Sequence, residues 1–321
     1  MTTKQIYDLA IKLGIDTDLR GAAAVKKYLA RIKKKYEEAP KKAQAEFDQE
    51  KLTNPYSDTR VLVSGDKAVK KVLAGIDMEG PELLLAKQRG DIDLVIAHHP
   101  EGKALADLSD VMKLQAQVLA GYGIPINIAE SVIKSRISEV SRGVSPINHE
   151  RAVDMARLLG LDFMCVHTPA DNLGARFLVD LFEKKEKELE TVGEIIDLLK
   201  TIPEYAAAVE RKAGPVIFAG TSDSSCGKIV VTEFTGGTSG SKDIYEKMSQ
   251  YGIGTVIGMH MEEEHRKEAE KYHINVVIAG HMASDSIGMN LLLDELEKRG
   301  IEVAPTSGLI RVKRFKEKGK K

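Results

Sequence analysis

Three short apolar runs in this chain each end at a histidine. Residues 94–97 (LVIA) precede His98 and His99, residues 163–166 (FMCV) precede His167, and residues 276–280 (VVIAG) precede His281. A carboxylate follows four positions after each of the last two histidines, at Asp171 and Asp285. Loops beyond the ends of buried strands are where α/β folds place functional groups. The pattern therefore predicts a metal site built from four histidines and two carboxylates.

Composition narrows the class of protein and the type of ligand. Of the 321 residues 43% are hydrophobic and 30% charged, with a net charge of −1, which excludes a disordered chain and a broad basic nucleic-acid surface. No signal-like or membrane-spanning apolar stretch is present, so we expect a cytoplasmic globular protein. The two cysteines, Cys165 and Cys226, are too few for a cysteine-based zinc site. Histidine and carboxylate ligands suit Zn, Fe, Mn, Co or Ni better than Mg or Ca.

The sequence predicts three regions. Residues 1–50 read as an N-terminal helical arm with a break at Pro40, because Ala, Lys and Glu are abundant and apolar residues recur at helical spacing. A basic cluster at residues 31–35 fits either a solvated helix face, which we favour, or contact with an anionic partner. Residues 51–190 form a predicted first α/β lobe. Residues 191–321 form a second, with a basic C-terminal tail, and the charged stretch EKKEKELE marks the boundary.

Strand and helix patterns alternate through both lobes and predict an α/β fold. Expected strands are 69–77, 92–97, 125–129, 161–166, 228–234 and 255–259. Expected helices are 81–89, 104–121, one from Ser145 (N-cap) and Pro146 to Gly160, one from about Leu173, and 241–250.

The two halves repeat one plan. KKVLAGID, helix, DLVIAHHP parallels KIVVTEF, helix, GTVIGMHM, and the segments around His167 and His281 both read helix, strand, His, three residues, Asp. Two similar lobes would then face each other across a metal cleft. Generic α/β patterning is the alternative explanation for the similarity.

The chain resembles the Nif-three-like family (NGG-one-interacting factor three) in three motifs and in their order. The motifs are the triplet ending at Pro100, the His-x-x-x-Asp unit at His167 and the Gly-His-x-x-x-Asp unit at His281. Members of this family are also known as GTP cyclohydrolase I type-two homologues. The resemblance covers about residues 61–312. It implies two metal ions in a cleft between two α/β lobes, and subunits that assemble as ring-like hexamers. The ligands that it implies are His98, His99, His167, Asp171, His281 and Asp285.

The chain also departs from the family pattern. Asp285 stands where the family usually has glutamate, so this carboxylate is one methylene shorter. Glu101, Gly102 and Lys103 replace the usual apolar residues after the triplet, and the family's Asp-Asn-x-Gly stretch is not plainly present. These differences concern the mouth of the site and the substrate more than the binding of metal.

Six ligands exceed what one tetrahedral catalytic ion needs, and the surplus points to two divalent ions about 3.5–4 Å apart. His260 is the repeat equivalent of His98, and we assign it a catalytic, proton-transferring role; a ligand or a polar residue at a helix entry are the alternatives. Cys165 is expected to be a buried structural thiol.

The glycine-rich loop of the second half contains Gly236, Gly237 and Gly240 and precedes an expected helix at 241–250. Free backbone amides and a helix N-terminus can bind a phosphate, with Lys103 and Lys242 as assisting cations; a tight turn is the alternative.

Two functions follow from these motifs. The first is a dinuclear metal-dependent hydrolase that uses metal-bound hydroxide on a nucleotide-like or phosphorylated small molecule. GTP cyclohydrolase-like activity is implied by the resemblance alone. The second is a non-enzymatic metal-binding scaffold or regulatory interaction protein. A small-molecule substrate and a homo-oligomer are the expected partners, and no membrane is expected.

Overall fold

The computed structural model describes residues 1–65 and 67–316, which form two sheets. The first sheet has the order β1-β4-β3-β2-β9, with β1 (Arg60–Val63), β2 (Lys71–Gly75), β3 (Leu94–Ala97), β4 (Asp162–Cys165) and β9 (Glu302–Pro305). The second has the order β5-β8-β7-β6, with β5 (Val216–Ala219), β6 (Lys228–Val231), β7 (Ile253–Gly258) and β8 (Asn275–Ile278). The predicted α/β fold with two similar lobes is confirmed.

Helices surround both sheets. In chain order they are α1 (Thr3–Thr17), α2 (Ala22–Glu38), α3 (Lys41–Glu46), α4 (Gly80–Arg89), α5 (Gly102–Ala106), α6 (Leu108–Val111), α7 (Lys113–Gly121), α8 (Ile126–Val144), α9 (Arg151–Leu159), α10 (Thr168–Lys185), α11 (Val192–Lys200), α12 (Pro203–Glu210), α13 (Ile244–Gln250), α14 (Glu263–Lys271) and α15 (His281–Glu297). No helix within the described ranges has both the length and the apolarity needed to cross a bilayer.

The two sheets share one topology. In each, an antiparallel edge strand (β1 or β5) pairs with the strand that precedes the His-x-x-x-Asp unit (β4 or β8). Two further strands then continue in parallel, β3 and β2 in the first sheet and β7 and β6 in the second. The equivalence extends to the helices, because α4, α9 and α10 match α13, α14 and α15 in chain order.

Helices α10 and α15 pack against each other and carry apolar residues into the cores of both sheets. Their backbones approach closely at Gly174 and Gly288. A Cβ atom added at Gly288 would lie 2.1 Å from the carbonyl oxygen of Ala170, whereas one at Gly174 would meet nothing nearer than 3.4 Å. Because both His-x-x-x-Asp units lie in the first turns of these helices, this contact brings the two halves of the site together.

The region between β3 and β4 differs from the prediction. Residues 125–129 begin helix α8 and are not a strand, because apolar side chains continue at helical spacing through Val144 and bury against the second sheet. Pro146 follows the end of α8, where proline is common, and the next helix begins at Arg151. The expected helix at 104–121 is divided into α5, α6 and α7.

Two further helices start at other positions than expected. Helix α10 begins at Thr168, five residues before Leu173, because Pro169 occupies a first-turn position that suits proline. Helix α13 begins at Ile244 and contains 7 residues.

The predicted limits of the arm and of the two lobes stay a prediction. Helix α1 packs into the core of the first sheet through Ile6, Tyr7, Ala10 and Ile11, so this part of the N-terminal region is integrated with the fold. Strand β9 lies near the C-terminus yet pairs in parallel with β2 of the first sheet. The final residues of the basic tail, 317–321, lie outside the described residues.

Candidate metal centre

The histidines lie where parallel strands end at one edge of each sheet. Gly75, Ala97 and Cys165 are in register at the carboxyl ends of β2, β3 and β4, so His98 and His99 emerge beside His167. In the second sheet, Gly280 adopts a φ of 110° between β8 and α15 and aims His281 toward the first sheet. A side chain at Gly280 would lie 2.6 Å from the carbonyl oxygen of Ala213, which explains why glycine is needed there.

The structure brings together all six residues that the sequence predicts as ligands. Ring centroids are 5.0 Å apart for His98 and His167, 5.3 Å for His98 and His99, and 5.2 Å for His99 and His281. Three overlapping groups have potential ligand atoms within 4.8 Å of one another. The groups are His98, His99 and His167; His99, His281 and Asp285; and His98, Asp171 and Asp285.

Both carboxylates lie between histidines. Asp285 Oδ1 is 3.5 Å from His98 Nε2, and its Oδ2 is 3.5 Å from His99 Nε2 and 3.4 Å from His281 Nε2. Asp171 Oδ1 is 3.3 Å from His98 Nε2, and its Oδ2 is 3.9 Å from His167 Nε2. Each carboxylate thus presents its two oxygens to different imidazoles, so both carboxylates could supply ligand atoms to a metal ion.

Three of the histidines are oriented through their other ring nitrogen. Nδ1 of His98 donates to the carbonyl oxygen of Val166 at 3.1 Å. Nδ1 of His99 donates to Asp77 at 2.6 Å, and Nδ1 of His167 donates to Asp58 at 2.8 Å. A proton on Nδ1 leaves the Nε2 lone pair free, and such contacts fix the ring and raise its basicity toward a metal.

The buried atoms at the centre fit a cation. Among the described residues, His98 Nε2, Asp171 Oδ1 and both Asp285 carboxylate oxygens have no hydrogen-bond partner of suitable geometry. Lone pairs that face one another in a buried site are costly unless a positive charge lies between them. A divalent ion would provide that charge, and the mixed nitrogen and oxygen donors match the ligand preference of Zn, Fe, Mn, Co or Ni.

The pKa values of His98 and His99 also show that the buried carboxylates favour a positive charge in the cluster. Burial opposes the charged form of His98, yet Asp285 and Asp171 outweigh it and raise the pKa well above its usual value. Burial also opposes the charged form of His99, but the hydrogen bonds to Asp285 and Asp77 outweigh the effect of burial and raise the pKa of His99 to about 9. At His281 burial prevails over the attraction of Asp285 and lowers the pKa to about 4. Burial disfavours the Asp285 anion, but His98 and His99 hold its pKa far below the usual range.

One side of the cluster is accessible. The side chains of His281 and His99 are 37% and 26% exposed, whereas those of His98, Asp285 and Asp171 are 0%, 1% and 5% exposed. The cluster is therefore open to solvent on the side of His99 and His281.

His260 stands at this accessible side. Its ring centroid is 4.7 Å from that of His281, and its Nδ1 is 3.3 Å from Ser239 Oγ. It is not a member of the three ligand groups formed by the described residues. His260 therefore lies beside the candidate ligands and lines the cleft next to them.

The glycine-rich loop forms part of the wall of the same cleft. Gly237 and Thr238 line the cleft with His260, whereas Gly236 packs on Leu114 and Gln115. The amide of Gly240 donates to Glu233 at 3.2 Å. The backbone amides of Gly236, Gly237 and Thr238 donate no hydrogen bond to any group in the described part of the chain. The short helix α13 starts four residues after Gly240, so the loop amides and not a helix N-terminus are the available anion donors.

Lys103 and Lys242 are both paired elsewhere. Lys103 Nζ is 2.9 Å from Asp48, and Lys242 Nζ is 3.7 Å from Glu264.

Three acidic residues of the site were not predicted. Asp77 comes two residues after β2 and could have been found, because its strand is a parallel neighbour of β3. Asp58 precedes the antiparallel strand β1, a pairing that strand-end patterns do not reveal. Glu233 has a left-handed backbone with a φ of 57°. Burial raises the pKa of its carboxyl, although the nearby His265 and His260 act to lower it. It anchors the glycine-rich loop.

No protein-family model and no curated protein matches the chain. Among solved structures, a NIF3 superfamily protein from Sphaerobacter thermophilus is similar at 28% identity, covering 96% of this chain and 99% of that chain, with a TM-score of 0.77. Reduced HcgD from Methanocaldococcus jannaschii has 14% identity over 77% of this chain and 87% of its own, with a TM-score of 0.48. The first likeness spans nearly the full length of both chains and is the one that bears on the family.

Proposed function

This chain belongs to the NIF3 superfamily, and we propose that its histidine and aspartate cluster holds two divalent metal ions and hydrolyses a phosphorylated small molecule, nucleotides included. The observation that carries the proposal is the placement of Asp285, whose two buried oxygens face His98 on one side and His99 with His281 on the other. One ion would be held by His99, His281 and Asp285. The second would be held by His98, His167 and Asp171, with Asp285 shared.

Ions bound there would lower the pKa of a water and polarise a phosphoryl oxygen. Side chains of the protein would orient the metal ligands for this chemistry. Asp58 and Asp77 fix the rings of His167 and His99, so these ligands need little rearrangement when substrate binds.

Substrate positioning falls to the loop and to His260. Gly237 and Thr238 line the cleft and their amides have no partner among the described residues, so these amides would hold phosphate oxygens, as backbone nests do. His260, held by Ser239, would give a proton to the leaving group. Glu233 keeps the loop in place through the Gly240 amide.

Turnover by metal-loaded protein tests this function. Phosphomonoesters, phosphodiesters, GTP and cyclic amidines are offered after loading with Zn, Mn, Fe, Co or Ni, and metal content is measured in parallel. We expect turnover of at least one phosphorylated substrate, lowered about 100-fold or more in Asp285→Asn. Asp180→Asn is the matched control, because Asp180 is an exposed carboxylate of α10.

His260→Gln separates catalysis from metal binding. We expect it to retain metal and lose about 10²–10⁴-fold in rate. Stoichiometric metal in the wild type with no turnover of any offered substrate would contradict the hydrolase and favour a metal-binding scaffold.

A further inference from the structure

A groove of about 410 Å³ runs between α2 and the helices α7 and α8. None of its lining residues belongs to the cleft around the histidines. The volume is in the range of small-molecule sites, roughly 300–1,000 Å³.

One wall of the groove is the inner face of α2. This helix carries apolar residues at helical spacing, namely Val25, Tyr28, Leu29, Ile32 and Tyr36. Val25 is buried and the other four residues are partly buried, so the described part of the chain covers this stripe only in part. Tyr28 and Ile32 face the groove, opposite an apolar wall that includes Leu114 and Ile137.

The groove carries unpaired positive charge. Arg31, Lys35 and Lys134 line it, and in residues 1–65 and 67–316 no ion pair is found for any of them. The remaining cations of the lining are neutralised, Arg20 by Asp18 and Lys113 by Asp110. Glu130 is the one lining carboxylate without such a partner, which leaves three cations against one anion.

A polar atom of the groove lining also lacks a partner. Oε1 of Gln117 is buried and accepts no hydrogen bond from the described part of the chain. Gln117 lines the groove together with the apolar residues and the cations. A buried acceptor of this kind is costly unless a donor reaches it.

We propose that this groove binds a small anionic molecule with a flat apolar body, separately from the metal cleft. Tyr28, Ile32 and Leu114 would cover the body. Arg31, Lys35 and Lys134 would neutralise a phosphate or carboxylate at the exposed rim, and Gln117 would accept a hydrogen bond. The volume of about 410 Å³ fits a small molecule, and the three cations of the lining complement its anionic group.

Binding of 1-naphthyl phosphate by the full chain tests the proposal, with EDTA present so that the metal cluster adds no phosphate affinity. We expect saturable binding, with 1-naphthol at least about 10-fold weaker because it lacks the anion. Arg31→Gln with Lys35→Gln should weaken the phosphate about 5-fold or more. Lys26→Gln with Lys27→Gln is the matched control, since both lysines are exposed on the same helix outside the groove, and should change affinity less than about 2-fold.

Several results would overturn the proposal. Equal losses in both double variants would mean diffuse attraction to a basic helix. Equal affinity for 1-naphthol and its phosphate would mean that the groove does not recognise the anionic group. If a glutamate-rich peptide binds while 1-naphthyl phosphate does not, the groove takes a protein segment. If the Arg31 and Lys35 variant alters the oligomeric state without any binding of the probe, a second copy of this chain occupies it.

Discussion

Asp58→Asn tests how the buried histidine of the first sheet is held. Asp58 is fully buried and accepts hydrogen bonds from His167 Nδ1 at 2.8 Å and from the Thr168 hydroxyl at 2.6 Å. Asparagine keeps the shape and one acceptor but removes the negative charge. The His167 ring then becomes a weaker donor to the metal, because its Nδ1 proton no longer faces an anion.

The expected loss is about 10–100-fold in metal affinity, or about 1.4–2.7 kcal/mol. Asp77→Asn provides the comparison, because Asp77 makes the same kind of contact to His99 at 2.6 Å but its side chain is 59% exposed. Solvent screens that pair, so we expect Asp77→Asn to cost no more than about 10-fold.

Competition titrations against a chromophoric chelator measure both affinities, and thermal unfolding with EDTA detects any loss of fold. Asp180→Asn should leave affinity unchanged. The account of the oriented ring is refuted if Asp58→Asn binds metal within about 2-fold of wild type, or if Asp77→Asn costs more than Asp58→Asn.

Further predictions concern packing, pH and metal removal. Gly288→Ala should lose about 3 kcal/mol or more of unfolding free energy, because its Cβ would lie 2.1 Å from the Ala170 oxygen; Gly174→Ala should change it by no more than about 1 kcal/mol, and equal effects in denaturant titrations would contradict the close contact. The raised pKa of His99, about 9, means that its proton stabilises the metal-free fold fully below the unfolded value of about 6.5 and that this contribution is lost as pH rises through about 9. Melting with EDTA should therefore show falling stability over that window while metal affinity rises, and a flat affinity profile would count against proton release. Removing metal should lower the unfolding free energy by about 2.7 kcal/mol relative to protein in free metal at 100 times the dissociation constant. This difference should be absent in Asp285→Asn.

Local sequence pattern predicted the parallel strands that precede the histidines, and it predicted that the candidate ligands lie together, because both features are determined locally. A buried parallel strand is a short apolar run, and the residue after it must lie at the sheet edge, so His98, His167 and His281 could be placed together before any contact was known. The chain-wide repeat added the face-to-face arrangement of the halves.

Other features depend on contacts that the pattern does not contain. Residues 125–129 alternate like a strand over a few positions, but burial of Ala129, Ile133 and Val140 against the second sheet decides for a helix. Asp58 reaches His167 only through the antiparallel pairing of β1 with β4. The hexamer that the family resemblance implies stays a prediction for the same reason, since it depends on surfaces between chains.

Metal content per chain tests the central claim most directly. The wild type and the variants His98→Ala, Asp171→Asn and His281→Ala are loaded with Zn, Mn, Fe, Co or Ni, passed through a desalting column and measured by elemental mass spectrometry. We predict about two ions per wild-type chain with at least one of these metals, and about one or fewer in each variant. A wild type that holds no stoichiometric metal with any of them would contradict the claim.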